Sequence, residues 1–291
     1  MNPSQGRPQG RLGLELLTLL GMPPVAYVRL AAELGCAEVS TGLSGLPLSL
    51  FGIADYAPWP MWSLRDDAAL RREMKAAMRD TGVAIGLGEG FRVAPDLDPG
   101  DSAGDLDIMA ELGAKRINAI CMDEAMVAAS SAAGDQLAVL AEMAGVRGMI
   151  FTMEFFPPTG ISSLERALAL VDHIGRGKAR LLIDSTHLFR TGGTVEQVAA
   201  LVADPARPDV IGYCQLSDGR NAPFDDAYFA TAMFARDVPG ESELPLRELI
   251  AVLPQDCTIS LEVPRLDDLR GGVSPRDHAA RCVAAARALG A

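Results

Sequence analysis

The chain has 291 residues, enough for one large α/β domain, and its 49% hydrophobic and 22% charged residues are typical of a protein with a sizeable core. Aromatic residues make up only 5%, so leucine, alanine, valine and isoleucine must fill that core, as they do in parallel sheets covered by helices. The formal net charge of −12 provides no basic surface to displace the counterions of a phosphate backbone, so we expect no nucleic-acid partner.

Residues 1–10 are polar and contain glycine and proline, so we predict a flexible N-terminal lead-in before one domain over residues 11–291. In the first half of that domain, short apolar runs predict strands at Leu12–Glu15, Ala37–Thr41, Val83–Leu87 and Lys115–Cys121. Apolar residues at helical spacing predict helices at about Pro24–Leu34, Leu64–Asp80 and Ala103–Leu112. A loop rich in glycine, proline and tryptophan extends from Gly42 to Trp62.

The second half repeats this alternation. Its predicted strands are Met149–Glu154, Arg180–Asp184, Val210–Leu216 and Thr258–Val263. Helices are expected to begin near Ser162, Thr194, Leu246 and Pro275, the last with proline in the favoured first turn. A long loop is predicted from Ser217 to Ser242.

The chain therefore contains eight strand–helix units with no break in composition. Such alternation indicates a parallel sheet, and the number eight favours closure into a single-domain (β/α)₈ TIM barrel. An open, doubly wound sheet is the alternative. It would call for a glycine-rich phosphate turn after the first strand, which Gly13–Leu16 does not supply.

Polar side chains end the last four predicted strands, where packing alone would favour apolar ones. They are separated by 30, 31 and 47 residues, about one strand–helix unit each, and are Glu154, Asp184, Gln215 and Glu262. The active site of a TIM barrel lies at this end of its strands, so the four side chains should converge there. Three carboxylates brought together would repel one another, and a divalent cation would compensate their charge. Oxygen ligands favour Mn²⁺ or Mg²⁺ over Zn²⁺ or Co²⁺.

Structural roles are the alternative for each of these residues taken alone. Asp184 could cap the helix that follows it, and Glu262 could pair with Arg265. A lone acidic residue after a strand is commonly a cap or a solvated loop end. The recurrence of such residues in phase with the strand–helix repeat favours the metal site.

Five segments around these residues resemble the xylose isomerase-like barrel superfamily: Met153–Phe155, Ile183–His187, Gln215–Asp218, Arg236–Glu241 and Leu261–Glu262. The resemblance covers nearly the whole chain and is strongest from Glu154 onward. The superfamily includes sugar isomerases, ketose 3-epimerases, inosose and 3-dehydroshikimate dehydratases, and the endonuclease IV branch. Its motifs are specific for the superfamily and carry little information about the substrate.

The resemblance implies that Glu154, Asp184, Gln215 and Glu262 are the metal ligands. It also implies that His187 contacts the substrate and that Arg236 binds a substrate oxygen or anion. Many members have histidine where this chain has Gln215, although glutamine occurs in some dehydroshikimate dehydratase-like relatives. Ser242 replaces the usual second glycine after the Pro-Gly-Glu segment. Arg236 has an alternative role as a partner of Asp237 or Glu241.

The resulting hypothesis is an isomerase or epimerase that uses one divalent metal ion to abstract a proton next to the carbonyl of a ketose or related polyol, through an enediolate. Glu154 and Glu262 would act as base and acid, while His187 and Arg236 would orient substrate oxygens. A metal-dependent dehydratase of the 3-dehydroshikimate or inosose type is the alternative, and Gln215 favours it. A non-catalytic barrel that binds a small polyol is a third hypothesis.

The endonuclease IV activity is disfavoured because it needs a zinc cluster with several histidines. The sequence has three histidines, of which His173 and His278 lie in helical patterns and are expected at the surface. Trp59, Trp62 and Phe91 are expected either to line the pocket or to pack beneath its loops.

The five cysteines form no CxxC pair, and four of them follow or lie within apolar runs and are expected to be buried thiols. Their odd number favours a reducing environment, so we expect a cytoplasmic protein. No apolar stretch approaches the roughly 18 residues of a membrane span, so no membrane partner is expected. The expected partner is a sugar or cyclitol substrate. The resemblance adds a homodimer or homotetramer, since related barrels often form these assemblies.

Overall fold

A computed structural model describes residues 10–128, 131–157, 159–175 and 177–291. The predicted lead-in over residues 1–10 lies outside these residues, except for Gly10. The described residues form a closed barrel of eight strands, each parallel to its neighbours. The predicted TIM barrel is therefore confirmed.

The strands follow one another around the barrel in sequence order. Strand β1 closes the ring against β8, with Leu12 opposite Ile259 and Leu14 opposite Leu261. The strands are β1 (Leu12–Leu14), β2 (Glu38–Thr41), β3 (Ala84–Val93), β4 (Arg116–Cys121), β5 (Ile150–Glu154), β6 (Ala179–Asp184), β7 (Ile211–Leu216) and β8 (Thr258–Leu261).

Helices cover the outside of the barrel and follow the strands in turn. Short 3₁₀ helices at Leu16–Leu19, Leu48–Phe51 and Pro99–Ser102 lie in the connections. The α-helices are α1 (Pro24–Glu33), α2 (Ala68–Thr81), α3 (Ala103–Leu112), α4 (Glu124–Ala128), α5 (Ser131–Gly145), α6 (Leu164–Ile174), α7 (Ser185–Arg190), α8 (Val195–Ala203), α9 (Tyr228–Phe234), α10 (Leu246–Val252), α11 (Leu266–Arg270) and α12 (Pro275–Leu289).

Strand β3 is longer than its predicted segment. It continues from Leu87 to Val93 because Gly90 adopts a positive φ of 97°, and the register with β4 shifts between Gly88 and Phe91. Only glycine adopts such a conformation readily. The irregularity extends β3 beyond the rim of the barrel and places Glu89 beside the cavity.

Helix α5, which links β4 to β5, was not predicted from the sequence, and neither were the short helices α4, α7, α9 and α11. Helix α9 lies inside the predicted loop from Ser217 to Ser242. Several caps agree with the predicted starts. Ser163 accepts from the backbone N–H of Arg166 at the start of α6, and Thr194 forms a capping box with Gln197 at the start of α8.

The main core lies between the strands and the helices, and a small cluster of Leu87, Leu182 and Tyr213 lies apart from it. All five cysteines are buried and free, including the four that lie in or after apolar runs. Among the helices of the described residues, none combines the length and hydropathy that crossing a bilayer requires.

Candidate active site

The four polar side chains predicted from the strand ends lie at the carboxyl end of the barrel. Glu154 and Asp184 are the last residues of β5 and β6, Gln215 precedes the last residue of β7, and Glu262 follows β8. Asp184 is opposite Gln215 in the register of β6 and β7. Because parallel strands end at the same rim, the alternation of strand and helix brings these side chains together.

Asp184 caps helix α7 as well as facing the site. Its Oδ1 accepts hydrogen bonds from the backbone N–H of His187 (2.9 Å) and from the hydroxyl of Thr186 (2.8 Å). Its Oδ2 is left for a second partner. The capping role and the site position, considered as alternatives from the sequence, are both present in the structure.

The second partner of Asp184 is Arg236, which bridges Asp184 and Glu262. One terminal nitrogen of Arg236 contacts Oδ2 of Asp184, and the other lies 2.9 Å from Oε2 of Glu262. The Nε–H of Arg236 donates to the carbonyl of Ala232 at 2.7 Å, which fixes the plane of the guanidinium. Arg236 is only 4% exposed. The alternative pairing of Glu262 with Arg265 is wrong, since Arg265 pairs with Asp237 and Asp268. The alternative pairing of Arg236 with Asp237 or Glu241 is also wrong, since Glu241 pairs with Arg281.

Charge pairing sets the ionisation of Asp184. Burial alone would raise the pKa of its carboxyl, but the positive charge of Arg236 and the hydrogen bonds that the carboxylate accepts together outweigh burial and lower the pKa below its ordinary value. Burial likewise opposes the charge on Arg236, but Asp184 and Glu262 together raise the pKa of its guanidinium. Both groups are therefore charged at neutral pH.

His187 lies beside Glu154 on the other side of Asp184. Nε2 of His187 is 3.5 Å from Oε1 of Glu154, and Nδ1 forms a 2.6 Å hydrogen bond with the hydroxyl of Tyr228. The ring of Phe156 packs on the imidazole with centroids 4.7 Å apart. Ligand atoms of Glu154, Asp184 and His187 lie within 4.8 Å of one another, and we call these three residues the histidine group.

Two acidic residues that were not predicted from the sequence complete the site. Glu15 follows β1, and Glu89 lies in β3. Their carboxylate oxygens lie within 4.8 Å of each other and of one from Glu262, and we call Glu15, Glu89 and Glu262 the glutamate group. An acidic residue directly after the apolar run of β1 is the same signal that selected Glu154. Glu89 had no such signal, because it depends on the irregular extension of β3.

Hydrogen bonds hold the glutamate group from several sides. The hydroxyl of Tyr213 donates to Oε1 of Glu15 at 2.7 Å, and the hydroxyl of Ser40 donates to Oε2 of Glu89 at 3.0 Å. The side-chain N–H groups of Gln215 face Oε2 of Glu15 at 3.2 Å and Oε1 of Glu262 at 3.4 Å. These contacts keep three carboxyl groups in a small volume.

Burial raises the pKa of each carboxyl in the glutamate group. For Glu15, side-chain hydrogen bonds that include the one from Tyr213 partly offset burial. Burial and then the charges of Glu15 and Glu154 raise the pKa of Glu89. Burial raises the pKa of Glu262 although Arg236 opposes it. Protons or a cation must therefore accompany these groups at neutral pH.

The donor set fits a divalent cation. Oε1 of Gln215 is buried and has no hydrogen-bond partner among the described residues. It belongs to a rim on which the histidine and glutamate groups supply five carboxyl groups, against the single guanidinium of Arg236. Carboxylate and amide oxygens are the ligands that Mg²⁺ and Mn²⁺ prefer. A cation would accept the unpartnered oxygen and reduce the excess of negative charge.

Above this rim is a cavity of about 540 Å³. Polar residues of the site occupy its lining together with apolar side chains from the connecting loops, including Leu43, Phe91, Phe156, Phe229 and Met233. Trp59 and Trp62 instead donate hydrogen bonds to the carbonyls of Leu19 and Gly21 beneath the loops. Of the three aromatic residues considered from the sequence, Phe91 therefore lines the cavity.

His173 and His278, both expected at the surface, differ in their exposure. His173 is exposed, as expected, and lies 2.9 Å from Asp135. The expectation for His278 is wrong, because it is 1% exposed and its Nε2 lies 2.7 Å from the carbonyl of Val263, directly after Glu262. An amphipathic pattern alone could not show which face of α12 meets β8.

The loop that carries Ser242 is held by one aspartate. The carboxylate of Asp218 accepts from the backbone N–H groups of Gly240 (2.8 Å), Ser242 (3.1 Å) and Leu244 (3.0 Å). Backbone groups make these contacts, so serine substitutes for the usual glycine without loss of the anchor. Gly240 itself has a positive φ of 84° and needs the conformational freedom of glycine.

Comparison with solved structures shows similar barrels at low sequence identity. A structure of IOLI protein with a binding zinc atom has a TM-score of 0.71 and 16% identity, covering 96% of this chain and 97% of the other. D-psicose 3-epimerase with D-tagatose, from Clostridium cellulolyticum H10, has a TM-score of 0.68 and 12% identity, covering 96% and 97%. The probable 3-DHS dehydratase AsbF from Bacillus anthracis has a TM-score of 0.70 and 13% identity, covering 95% and 98%.

A longer protein contains a similar barrel as part of its chain. It is a xylose isomerase-like TIM barrel/4-hydroxyphenylpyruvate dioxygenase fusion protein, with a TM-score of 0.70 and 21% identity. The match covers 96% of this chain but only 42% of the fusion protein. No curated protein sequence matches this chain. These structural likenesses show a shared fold, and each activity belongs to the protein that carries the name.

Family membership follows from the sequence itself. The family model of the xylose isomerase-like TIM barrel matches residues 28–289, which include β2 to β8 and the polar strand ends of the site. The closed eight-stranded barrel and its acidic rim agree with that match. The chain belongs to the xylose isomerase-like TIM barrel family.

Proposed function

We propose that the protein is a divalent-metal-dependent isomerase or epimerase that moves a proton next to the carbonyl of a ketose or related polyol. The observation that carries the proposal is the buried Oε1 of Gln215, which no described residue contacts by a hydrogen bond, on a rim with five carboxyl groups. Such a donor set is suited to a hard cation at the bottom of a cavity. Structural neighbours that include D-psicose 3-epimerase support a small sugar as the substrate class.

In this proposal, Glu154, Asp184, Gln215 and Glu262 hold one Mn²⁺ or Mg²⁺ ion. A bound divalent cation supplies Lewis acidity, which stabilises negative charge as it develops on a carbonyl oxygen. The proposed ligands come from four successive strands and the site is nearly closed to water from below, since Asp184, Gln215 and Glu262 are at most 5% exposed. Rigid strand ends are suited to keeping ligands in place.

Glu154 has the contacts expected of a proton-transferring carboxylate. It lines the cavity, Asn118 donates to its Oε2 at 2.9 Å, and His187 faces its Oε1 at 3.5 Å. These two neighbours fix the direction in which the carboxylate can accept a proton. Glu262, which also lines the cavity and belongs to the opposite group of the rim, is the proposed partner that returns the proton.

His187 and Arg236 are proposed to orient substrate oxygens. Both line the cavity, and both are fixed by neighbours: Tyr228 and Phe156 hold the imidazole, while Asp184 and Glu262 hold the guanidinium. Side chains that are fixed before the substrate arrives lose little freedom on binding. The apolar wall above them would cover the C–H faces of a sugar or cyclitol ring and exclude water.

A metal-dependent dehydratase of the 3-dehydroshikimate or inosose type is the second candidate. It begins with the same proton abstraction and ends with loss of a β-hydroxyl group. Gln215 favours it, because the sequence resembles some dehydroshikimate dehydratase-like relatives at this position. A non-catalytic polyol-binding barrel is the weakest candidate, since simple binding would not require an acidic rim of this density.

The first test is the metal content and Mn²⁺ affinity of the purified protein beside a Glu154→Gln/Glu262→Gln double variant. We expect one tightly bound ion in the unsubstituted protein and its loss in the variant, because two ligand oxygens are replaced and two charges are removed. If neither protein binds Mn²⁺ after metal is added, the metal-dependent function is wrong and the polyol-binding barrel takes its place.

The second test separates the reactions. The metal-loaded protein is incubated in D₂O with a panel of ketoses, cyclitols and dehydroshikimate, and exchange of the carbon-bound proton is followed by NMR. A new sugar that carries deuterium supports the isomerase or epimerase. A rise in enone absorbance supports the dehydratase instead, and a panel with neither exchange nor product contradicts both enzymatic proposals.

A further inference from the structure

The amide of Gln215 lies between two carboxylates, and both of its contacts involve the same end. Its Nε2 is 3.2 Å from Oε2 of Glu15 and 3.4 Å from Oε1 of Glu262. The opposite atom, Oε1, is buried without a hydrogen-bond partner among the described residues. An amide has two N–H donors and one acceptor oxygen, so both donors are engaged and the acceptor is left over.

The two carboxylates therefore decide which way the amide faces. Turning Gln215 about its last side-chain bond would place Oε1 against oxygens of Glu15 and Glu262, where acceptors repel one another. The same turn would present N–H groups to the place where Oε1 now lies, and an N–H group cannot bind a metal ion. A glutamine can serve as a ligand only while its oxygen faces the ion.

Hydrogen bonds fix both the side chain and the backbone of Glu15. Tyr213 donates to its Oε1 at 2.7 Å, which leaves Oε2 for Gln215. The backbone N–H of Glu15 donates to the carbonyl of Leu261 at 3.0 Å, directly before Glu262. Glu15 is fully buried, so water does not compete for its oxygens. These contacts fix both the residue and the direction of its free oxygen.

We propose that Glu15 is a positioning residue that sets the orientation of the Gln215 amide, so that Oε1 rather than Nε2 faces the metal ion. This inference rests on the proposed metal site. Glu15 does not bind the ion or touch the substrate in this role. It acts through Gln215, in the way that outer residues orient metal ligands in other proteins.

The test is Mn²⁺ affinity, measured by titration of the metal-free protein, for four proteins: unsubstituted, Glu15→Gln, Gln215→Glu, and the double variant. In Glu15→Gln, the Tyr213 hydroxyl still donates to the new amide oxygen, which directs the new NH₂ group toward Gln215. This new donor favours a turned Gln215 amide, with Oε1 toward position 15 and Nε2 toward the ion, and only the longer 3.4 Å contact with Glu262 opposes the turn. We expect the affinity for Mn²⁺ to fall about 10–100-fold, the usual effect of losing such an outer contact.

The Gln215→Glu background removes the need for orientation, because a carboxylate presents an oxygen whichever way it turns. In that background we expect Glu15→Gln to lower Mn²⁺ affinity much less, by no more than the loss of one nearby negative charge causes. Thermal unfolding without metal shows whether all four proteins are folded. A purely structural role for Glu15 would lower affinity to the same extent in both backgrounds.

Three results would overturn the inference. Equal loss of affinity in both backgrounds would mean that the charge or the packing of Glu15 matters and the amide orientation does not. Unchanged affinity in Glu15→Gln would show that Gln215 needs no positioning. If the unsubstituted protein binds no Mn²⁺, the proposed metal site is wrong and this inference is wrong with it. In the first two results the unsubstituted protein does bind Mn²⁺, so only the role of Glu15 is contradicted.

Discussion

At the amino-terminal end of the barrel Glu38 contacts two cationic side chains, whereas at the carboxyl-terminal end Arg236 pairs with only two of the five carboxyl groups on the rim. Glu38 contacts Lys115, lies 3.5 Å from Arg116 and accepts a 2.8 Å hydrogen bond from Thr258. The other end holds the histidine and glutamate groups around Arg236. Uncompensated buried charge is costly, so the first end is self-sufficient and the second requires protons or a cation.

The two ends show how a buried acidic residue that serves the fold differs from one that serves a ligand. Gly86 has no side chain where Glu38 turns into the barrel, since a Cβ atom there would lie 2.3 Å from Oε2 of Glu38. A carboxylate with its own space and its own cations belongs to the fold. Carboxylates that share a cavity, as Glu89, Glu154 and Glu262 do, are arranged for a ligand.

The largest expected effect follows from removing the guanidinium at the acidic end. Arg236→Met should leave Asp184 and Glu262 buried without their cation and reduce the free energy of unfolding of the metal-free protein by about 3–5 kcal/mol. Added Mn²⁺ should restore part of it, because metal binds only the folded protein. Urea denaturation with EDTA and with Mn²⁺ measures both effects.

Arg265→Met is the matched control, since Arg265 pairs with the partly exposed Asp237 and Asp268 and should contribute less than about 1 kcal/mol. A loss in Arg236→Met no larger than in this control would contradict the comparison. It would mean that the carboxyl groups of the site are compensated in some other way.

A smaller effect is expected at the self-sufficient end. Glu38→Gln should reduce the free energy of unfolding by about 1–3 kcal/mol, because Arg116 and Lys115 lose their carboxylate partner. Mn²⁺ affinity should stay at the level of the unsubstituted protein, because Glu38 lies at the other end of the barrel. Denaturation and Mn²⁺ titration on the same preparations test this pair of expectations. Weaker Mn²⁺ binding would show that the two ends are coupled.

The pH dependence of stability should also distinguish the groups of the rim. The pKa of Glu89 is raised well above its ordinary value of 4.5 in the folded state. As pH rises above 4.5, the unfolded state therefore releases a proton that the folded state keeps. Stability of the metal-free protein should therefore fall as pH rises from that value toward neutral. Asp184, whose pKa is lowered, has the opposite sign and loses its contribution only in stronger acid.

Glu89→Gln removes one of the raised groups and should flatten the fall in stability between about pH 5 and 8. Melting temperatures recorded in EDTA over this range, for the variant beside the unsubstituted protein, give the comparison. The same slope in both proteins would contradict the raised pKa of Glu89.

The smallest expected effect concerns the hydrogen bond that holds His187. Tyr228→Phe removes a 2.6 Å contact to Nδ1 but keeps an aromatic ring in place. One lost hydrogen bond of ~1 kcal/mol should slow solvent-proton exchange into the substrate about fivefold to tenfold. Mn²⁺ affinity should not change, since neither residue is a proposed ligand. A loss of metal binding would place His187 among the ligands.

Local sequence pattern predicted the barrel and the four polar strand ends, because both depend on the spacing of residues along the chain. Glu15 and Glu89 were not predicted, because their place in the site depends on the three-dimensional structure. Glu15 meets Gln215 across a separation of 200 residues, only because β1 pairs with β8. Glu89 reaches the cavity through the irregularity at Gly90, which a strand pattern does not reveal.

The partners of Arg236 show the same limit. From the sequence, its neighbours Asp237 and Glu241 were the available alternatives. In the structure Arg236 pairs instead with Asp184, 52 residues away, and with Glu262. Nearby acidic residues on a loop compete poorly with buried ones, because water weakens exposed ion pairs. Such a preference becomes visible only when burial is known.

The connection between β7 and β8 has a consequence for exchanging parts among such barrels. Residues 217–245 carry both Tyr228 and Arg236, and Asp218 ties their far end by three backbone contacts. This segment therefore contains the residue that anchors it. Transferring it into another barrel would change both the charge balance at the rim and the contact that orients the imidazole. Transferring it without Asp218 would place the same side chains on an unanchored loop.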